Sequence, residues 1–391
     1  MIENMLYSKN YIHPITGQRP EVTLSIGAAG TGSDKTYRFV SEIKELIDSN
    51  IVVISTKDDI LKQTKDSLKN KGYEVKVLDF NSLDTFPHYN PLSLLSLGYD
   101  AFDVAFTLIT LINDNFSSKE LIRLLKTEKE VLEVYFLSAL IQWASSNQDT
   151  CNLLAVYNKL NEMILHDNMR NTIKHLDMEP NTMLRLLLYS EEELHFIASN
   201  LCEKLSSLNP RLIQKTMLET DSCFPELNSD KKLAIFVICP MCAAYKSFCN
   251  IVIAGLSLSV YSGKWFMQRT KYVRYFIDEY QSFGNFTLSS FLAQFIRRSR
   301  TRMVAIEIAI QTLNQLDYIS YSEDCRSIVC NSNIIYYHSD YYDKNTLSEL
   351  LYNIWCADEE TRNYIYKNLR DNQCLLYIDG EIVIDDKLPI Q

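Results

Sequence analysis

Residues 21–38 read EVTLSIGAAGTGSDKTYR, and the rest of the chain is organised around them. Val22–Ile26 is a β-prone run that enters a stretch of small residues with glycines at 27, 30 and 32. Lys35 and Thr36 follow, and then the apolar spacing of a helix: Phe39, Val40, Ile43 and Ile47. Strand, glycine-rich loop, Lys-Thr and helix is the layout of a phosphate-binding P-loop. In such a loop, backbone N–H groups and the helix N-terminus cradle phosphate oxygens. Counted back from Lys35-Thr36, the pattern G-x-x-x-x-G-K-T requires glycine at 29 and 34, where this chain carries Ala29 and Asp34.

Outward from this stretch, strand and helix patterns alternate. Ile51–Ile54 is a fully apolar strand, Ile60–Lys71 a helix stopped by Gly72, and Glu74–Leu78 a third strand. Continuous apolar strands separated by helices predict a parallel sheet covered on both faces. After Asn90-Pro91 long 3.6-residue periods take over, as in Ala101–Ile112, Glu120–Trp143 and Glu191–Leu208, and glycine is absent from 99 to 254. The strand pattern returns at Leu233–Ile238, Tyr272–Ile277, Met303–Ile310 and Asn333–Tyr337, with helices over Ala243–Val260, Leu288–Arg298 and Thr346–Asn353 between and after them. Gln373–Ile378 and Glu381–Ile384, joined by Asp379-Gly380, form a closing hairpin. The expected fold class is therefore α/β: a P-loop NTPase with a mainly parallel sheet, helices on both faces and an inserted all-α subdomain. Its parts are an irregular leader over 1–20, a nucleotide-binding domain from 21–98 and 231–391, and a helical insert over 99–230.

The net charge of −10 over 391 residues excludes general affinity for nucleic acid, so such a site must be a local patch. Ten cysteines lie mostly within apolar runs, and the single CxxC, Cys239–Cys242, has neither a second pair nor a nearby histidine. These features predict buried, reduced thiols rather than a zinc centre. No uncharged apolar run approaches the ~20 residues that span a bilayer, and the polar first ten residues do not form a signal peptide. A soluble, cytoplasmic chain is expected.

Four further features carry chemistry. Arg274-Tyr-Phe-Ile-Asp278-Glu279 is an apolar strand ending in two acids, the arrangement in which the first carboxylate holds Mg²⁺ and the second polarises the attacking water. Gln311 ends the next strand, where a polar side chain either senses the γ-phosphate or simply caps the strand. Arg297, Arg298, Arg300 and Arg302 cluster at a helix end. Contact with DNA phosphates, action in trans on a neighbouring subunit, and solvated charge at the helix C-terminus are all open to them. Glu307, an acid inside an apolar strand, is expected near the strand's polar end or paired with one of these arginines.

The order of these motifs resembles the TraG/TraD-type coupling proteins of type IV secretion and conjugation, P-loop ATPases related to the RecA-like FtsK/HerA motors. Residues 52–59, VVISTKDD, stand where the family has V-V-x-D-P-K-G-E. Residues 72–79, GYEVKVLD, and Tyr89-Asn90-Pro91-Leu92 are similar to its G-Y-x-V-x-V-L-x and Y-N-P-L pair. Residues 231–240, KKLAIFVICP, resemble K-T-A-L-F-V-I-I-P; residues 278–284, DEYQSFG, resemble D-E-F-x-x-x-G; and residues 311–316, QTLNQL, resemble Q-S-x-x-Q-L. The family spaces its P-loop lysine and the aspartate of its second motif as Lys35 and Ser55 are spaced here, 20 residues apart, which settles the register of the loop.

The resemblance implies ATP against Gly30, Thr31, Gly32, Ser33, Lys35 and Thr36, with Mg²⁺ at Thr36 and Asp278. It implies Glu279 as water activator, Gln311 as phosphate sensor, and Arg298 with its neighbours acting in trans or on DNA. It further implies a hexameric ring, single-stranded DNA or relaxase–DNA as cargo recognised by the helical insert, and delivery to a secretion channel. The family's N-terminal transmembrane segments have no counterpart here, which leaves open a soluble variant, a chain held at the inner face of the membrane by a separate membrane subunit, or an incomplete product. Ala29, Asp34, Ser55 and Asp58-Asp59 depart from the family pattern. A carboxylate beside Lys35 crowds and repels a polyphosphate, a loss of a few kcal/mol in nucleotide affinity at ~1.4 kcal/mol per tenfold. Three readings stand on this: an active coupling ATPase, a pseudo-ATPase scaffold of the same system, and a HerA/FtsK-like DNA translocase of another process.

Overall fold

The structure, a computed structural model, describes residues 3–6, 12–15, 22–27, 34–81, 87–112, 128–146, 151–165, 168–208, 216–220, 224, 227–240, 245–261, 271–278, 296, 303–311, 313, 328–332, 334–338, 344–370, 372–378 and 380–386. Strands β1 (Glu3–Leu6) and β2 (Ile12–Ile15) pair antiparallel in the stretch expected to be irregular. Its apolar residues Met5, Leu6, Ile12 and Ile15 favour extended backbone. Pro14, opposite Asn4, is tolerated because a two-stranded ribbon is all edge.

The main sheet is built from β3 (Val22–Ile26), β4 (Asn50–Ser55), β5 (Glu74–Asp79), β6 (Leu233–Ile238), β7 (Val273–Ile277), β8 (Val304–Ile310), β9 (Ile334–His338), β10 (Gln373–Ile378) and β11 (Glu381–Asp386). Its spatial order is β11-β10-β9-β3-β8-β7-β4-β6-β5. From β9 to β5 every neighbouring pair is parallel, and β10 and β11 close one side antiparallel. Parallel strands need crossovers that cover both faces. On one face lie α1 (Asp34–Glu45) and α2 (Asp59–Asn70). There Phe39, Val40, Ile43, Ile60 and Leu68 pack on Ile51, Val53, Phe236 and Phe276. Phe39 meets Phe276 edge to face, with centroids 5.4 Å apart. Gly72 takes φ +85° just past α2, and its N–H donates to Lys69 O, the left-handed stop anticipated from the sequence.

The opposite face is covered by helices. Among the described residues between β5 and β6, the chain forms α3 (Ala101–Ile112), α4 (Glu128–Ser145), α5 (Leu153–Ile164), α6 (Met169–Lys174), α7 (Pro180–Leu186) and α8 (Glu191–Ser206), with no strand. Ser190 and Glu193 cap α8 reciprocally, and Asn152 caps α5. Helix α9 (Lys246–Tyr261), buried along nearly its whole length, belongs to the same core as α3 and the outward side chains of β3, β4, β6, β7 and β8. Beyond β9 lie α10 (Lys344–Glu349), a π-helical turn over Leu350–Ile354, and α11 (Glu359–Asn368), which Asp358 caps. Of the described cysteines, Cys239, Cys249 and Cys374 are buried, Cys151 and Cys202 half-buried, and Cys330 and Cys356 exposed, so the expected burial of the thiols holds only in part.

Tyr89-Asn90 joins these parts. The Tyr89 ring stacks on Phe224, with centroids 4.6 Å apart, and its N–H donates to Thr216 O. Asn90 accepts from Leu92 N to cap the 3-10 helix Pro91–Leu97 and donates through Nδ2 to Cys151 O at 2.7 Å. Its backbone N–H donates to Thr220 Oγ1. A Cβ at Gly255 of α9 would lie 2.1 Å from the Tyr89 hydroxyl oxygen, so glycine is required there by close approach rather than by backbone angle. Gly255→Ala is accordingly expected to lower stability by about 1–3 kcal/mol in urea denaturation. On a Tyr89→Ala background, where the ring is gone, the same change should stabilise by up to about 1 kcal/mol through helix propensity.

Candidate functional site

Three neighbouring strands converge on the site. Strand β8 lies between β3 and β7, and the N–H of Gly27, immediately after β3, donates to Ile310 O at the end of β8. Cross-strand partners Thr23, Glu307 and Phe276 share a sheet face, as do Ser25 and Ala309; this is the face on which α1 packs. Alternation carries that face on to Asp278, just past β7, and Gln311, just past β8. The carboxyl ends of parallel strands, where the chain order reverses between β3 and β8, are where ligands bind in open α/β sheets.

Helix α1 begins with the backbone of Asp34, so Lys35 and Thr36 occupy its first turn. Lys35 is buried, and its Nζ donates to Gly27 O at the start of the loop. The Thr36 hydroxyl donates to Asp278 Oδ2 at 3.2 Å, across 242 residues of sequence. Asp278 is itself buried and held by its N–H to Ile54 O of β4 at 2.8 Å. A hydroxyl and a carboxylate in contact, with an ammonium group on the same helical turn, are suited to a hard divalent cation and the anion it accompanies. Gln311 is half-buried at the end of the strand between them. The structure therefore brings Lys35, Thr36, Asp278 and Gln311 to one end of three adjacent strands.

Gly30, Thr31, Gly32, Ser33, Glu279, Arg297, Arg298, Arg300 and Arg302 lie outside the described residues. Ser55, which stands where the family has aspartate, ends β4 and turns its hydroxyl back to Lys57 O at 2.6 Å. Asp58 precedes α2 and pairs with Lys62 at 2.8 Å on an exposed surface.

The fold and the placement of these groups are those of a P-loop NTPase. More narrowly, the chain belongs to the type IV secretory system conjugative DNA transfer family, whose model matches residues 16–370. Among solved structures, the plasmid coupling protein TrwB with the ATP analogue ADPNP is similar over 96% of this chain and 87% of its own, at 13% identity and a TM-score of 0.62. TrwB with the GTP analogue GDPNP aligns over 95% and 86%, at 12% identity and 0.64. VirB4 of Thermoanaerobacter pseudethanolicus aligns over 99% and 96%, at 10% identity and 0.57. At such identities the likeness is one of fold. No curated protein matches the chain.

A buried charge cluster beneath the site escaped the sequence reading. Arg38 Nη2 donates to Glu307 Oε2 at 2.6 Å and lies 2.9 Å from Glu42 Oε1, all three side chains being nearly inaccessible. Glu307 therefore sits in the middle of β8 and pairs with the helix above it. It is not at a polar strand end, and its partner is Arg38 of α1; the later arginines, also expected as partners, lie outside the described residues. Arg274 of β7, buried with its Nε on Ser49 Oγ, faces the same cluster. The available signal was Arg38 and Glu42 at i, i+4 on a helix whose other inward residues are apolar, together with an acid in an apolar strand.

Burial pushes the Glu42 carboxyl well above the ordinary carboxylate range; Arg38 opposes this, and the neighbouring Glu307 adds to it. Below the ordinary range both folded and unfolded chains hold the proton. Above it, up to the raised folded value, only the folded chain does, so stability declines as pH rises through that window. Urea midpoints measured upward from acidic pH should show this decline in the wild type and a flatter profile in Glu42→Gln.

Proposed function

We propose that this chain is the ATP-driven coupling component of a conjugative DNA transfer system. The contact between Thr36 and Asp278, with Lys35 buried on the same turn, is the observation that carries the reading. In it, Gly30–Thr36 receive the nucleotide phosphates, and Thr36 and Asp278 hold Mg²⁺. Bound there, Mg²⁺ supplies neutralisation of the charge that develops on the transferred phosphoryl oxygens. Glu279 takes the proton of the attacking water, Gln311 reports the state of the γ-phosphate across β8, and Arg298 or a neighbouring arginine completes the site of an adjacent subunit in a hexameric ring. The solved TrwB complexes with ADPNP, and with ADP and Mg²⁺, support this ligand assignment by fold analogy. Single-stranded DNA or a relaxase–DNA complex is the cargo, received by the helical insert on the cytoplasmic side and passed to the secretion channel. Among the described residues no helix is long and apolar enough to cross a membrane.

Ala29 and Asp34 favour a second reading, a scaffold of the same system that turns over little ATP. A dead site, however, has no physical need of Lys35, Thr36, Asp278 and Glu279 together. Hydrolysis measured with and without single-stranded DNA separates the two. The coupling ATPase loses about 10²-fold or more in turnover on Glu279→Gln while still binding nucleotide, and Asp34→Gly tightens nucleotide binding. A wild type as inactive as Glu279→Gln, with turnover restored by Asp34→Gly, would establish the scaffold instead. Binding to DNA should weaken steeply with salt, and Arg298→Ala with Arg300→Ala should reduce that slope by about one unit for each phosphate no longer neutralised.

A further inference from the structure

Four charged side chains lie beneath the sheet face that carries the site: Arg38 and Glu42 from α1, Arg274 from β7 and Glu307 from β8. Their presence is not explained by stability. Buried ion pairs replaced by apolar groups of similar volume usually leave a protein as stable or more so. What they supply is direction. Around them Phe39, Val40, Ile43, Val53 and Phe276 make apolar contact, which tolerates a small rotation or slide of α1. The 2.6 Å bond from Arg38 to Glu307 tolerates neither.

Glu307 is held on both sides, by β3 at Thr23 and by β7 at Phe276, so it is a fixed point of the sheet. Arg38 follows Thr36 by two residues. The same helical segment is thus tied twice, by Thr36 to Asp278 of β7 and by Arg38 to Glu307 of β8. Each tie lies four residues from another member of the site or cluster: Arg274 precedes Asp278 by four, and Glu307 precedes Gln311 by four.

We propose that Arg38, anchored by Glu307 and flanked by Glu42, is a positioning residue of the nucleotide site. It sets the rotation and height of α1 at which Lys35 and Thr36 face Asp278 and Gln311. The nature of the ligand rests on the function proposed above; the mechanical role of Arg38 does not.

The test uses the full chain with Arg38→Met and Glu307→Leu combined, which removes one cation and one anion together. Amide hydrogen exchange is followed in the first turns of α1, and affinity for a fluorescent ATP analogue is measured with and without Mg²⁺. In the double variant, amides of residues 38–42, the first with acceptors inside the helix, should exchange about tenfold faster or more, the worth of one charge-assisted hydrogen bond, while α2 and α9 and the melting temperature stay near wild type. The gain in nucleotide affinity on adding Mg²⁺ should fall by a similar factor. Glu307→Gln, which keeps an acceptor for Arg38, should retain both properties. Wild-type exchange in α1 together with an unchanged Mg²⁺ gain overturns the proposal, as does faster exchange spread equally over α1, α2 and α9. Should the wild type bind no nucleotide, the ligand assignment fails while the exchange arm still decides the role of Arg38.

Discussion

Helix α1 must sit on the sheet at one rotation and one height, and most of what distinguishes this fold follows from how that is achieved. Apolar packing of Phe39, Val40 and Ile43 supplies the adhesion, while two polar ties, Thr36 to Asp278 and Arg38 to Glu307, supply the orientation. Burying Arg38, Glu42, Glu307 and Arg274 together is costly in desolvation, and that burial pushes the Glu42 carboxyl well above the ordinary carboxylate range. Adhesion and orientation are separate requirements, and the chain meets them with different residues on one helix.

The second constraint is that a parallel sheet has to be covered on both faces. Helices α1 and α2 cover one. The other is covered by α9 and the helices between β5 and β6, so the helical region is part of the sheet's own core and not an appendage to it. Tyr89-Asn90 secures this junction through Phe224, Thr216, Thr220 and Cys151, and Gly255 clears the space for the Tyr89 ring. A tetrapeptide recognisable as a family signature thereby acquires a physical role, because it fixes where the helical region meets the α/β region. The helical region is continuous with the sheet through the core it shares with β3, β7 and β8.

Much of this was legible in the linear chain. Val22–Ile26 and Leu233–Ile238 occupy the strands their unbroken apolar runs indicated, and Ala101–Ile112 the helix its period indicated, because local backbone preference and burial agree there. Element ends moved slightly, as with α2, which runs over Asp59–Asn70 rather than Ile60–Lys71, since helix ends are set by backbone geometry that a side-chain pattern does not report. The hairpin of Glu3–Leu6 and Ile12–Ile15 was missed because Pro14, Gly17 and Pro20 outweighed a weak apolar alternation. That Lys35, Thr36, Asp278 and Gln311 lie at element ends was legible because each stands beside a recognisable local pattern.

The linear chain was enough to indicate the class of elements, their order and the membership of a family, since these depend on local periodicity and on motif spacing. Folding in three dimensions was needed to show that β8 lies between β3 and β7, that Thr36 touches Asp278, and that Glu307 pairs with Arg38. Strand order and ion-pair choice are properties of residues hundreds of positions apart. They are selected by how the crossovers pack over the sheet, and no local pattern along the chain records that choice.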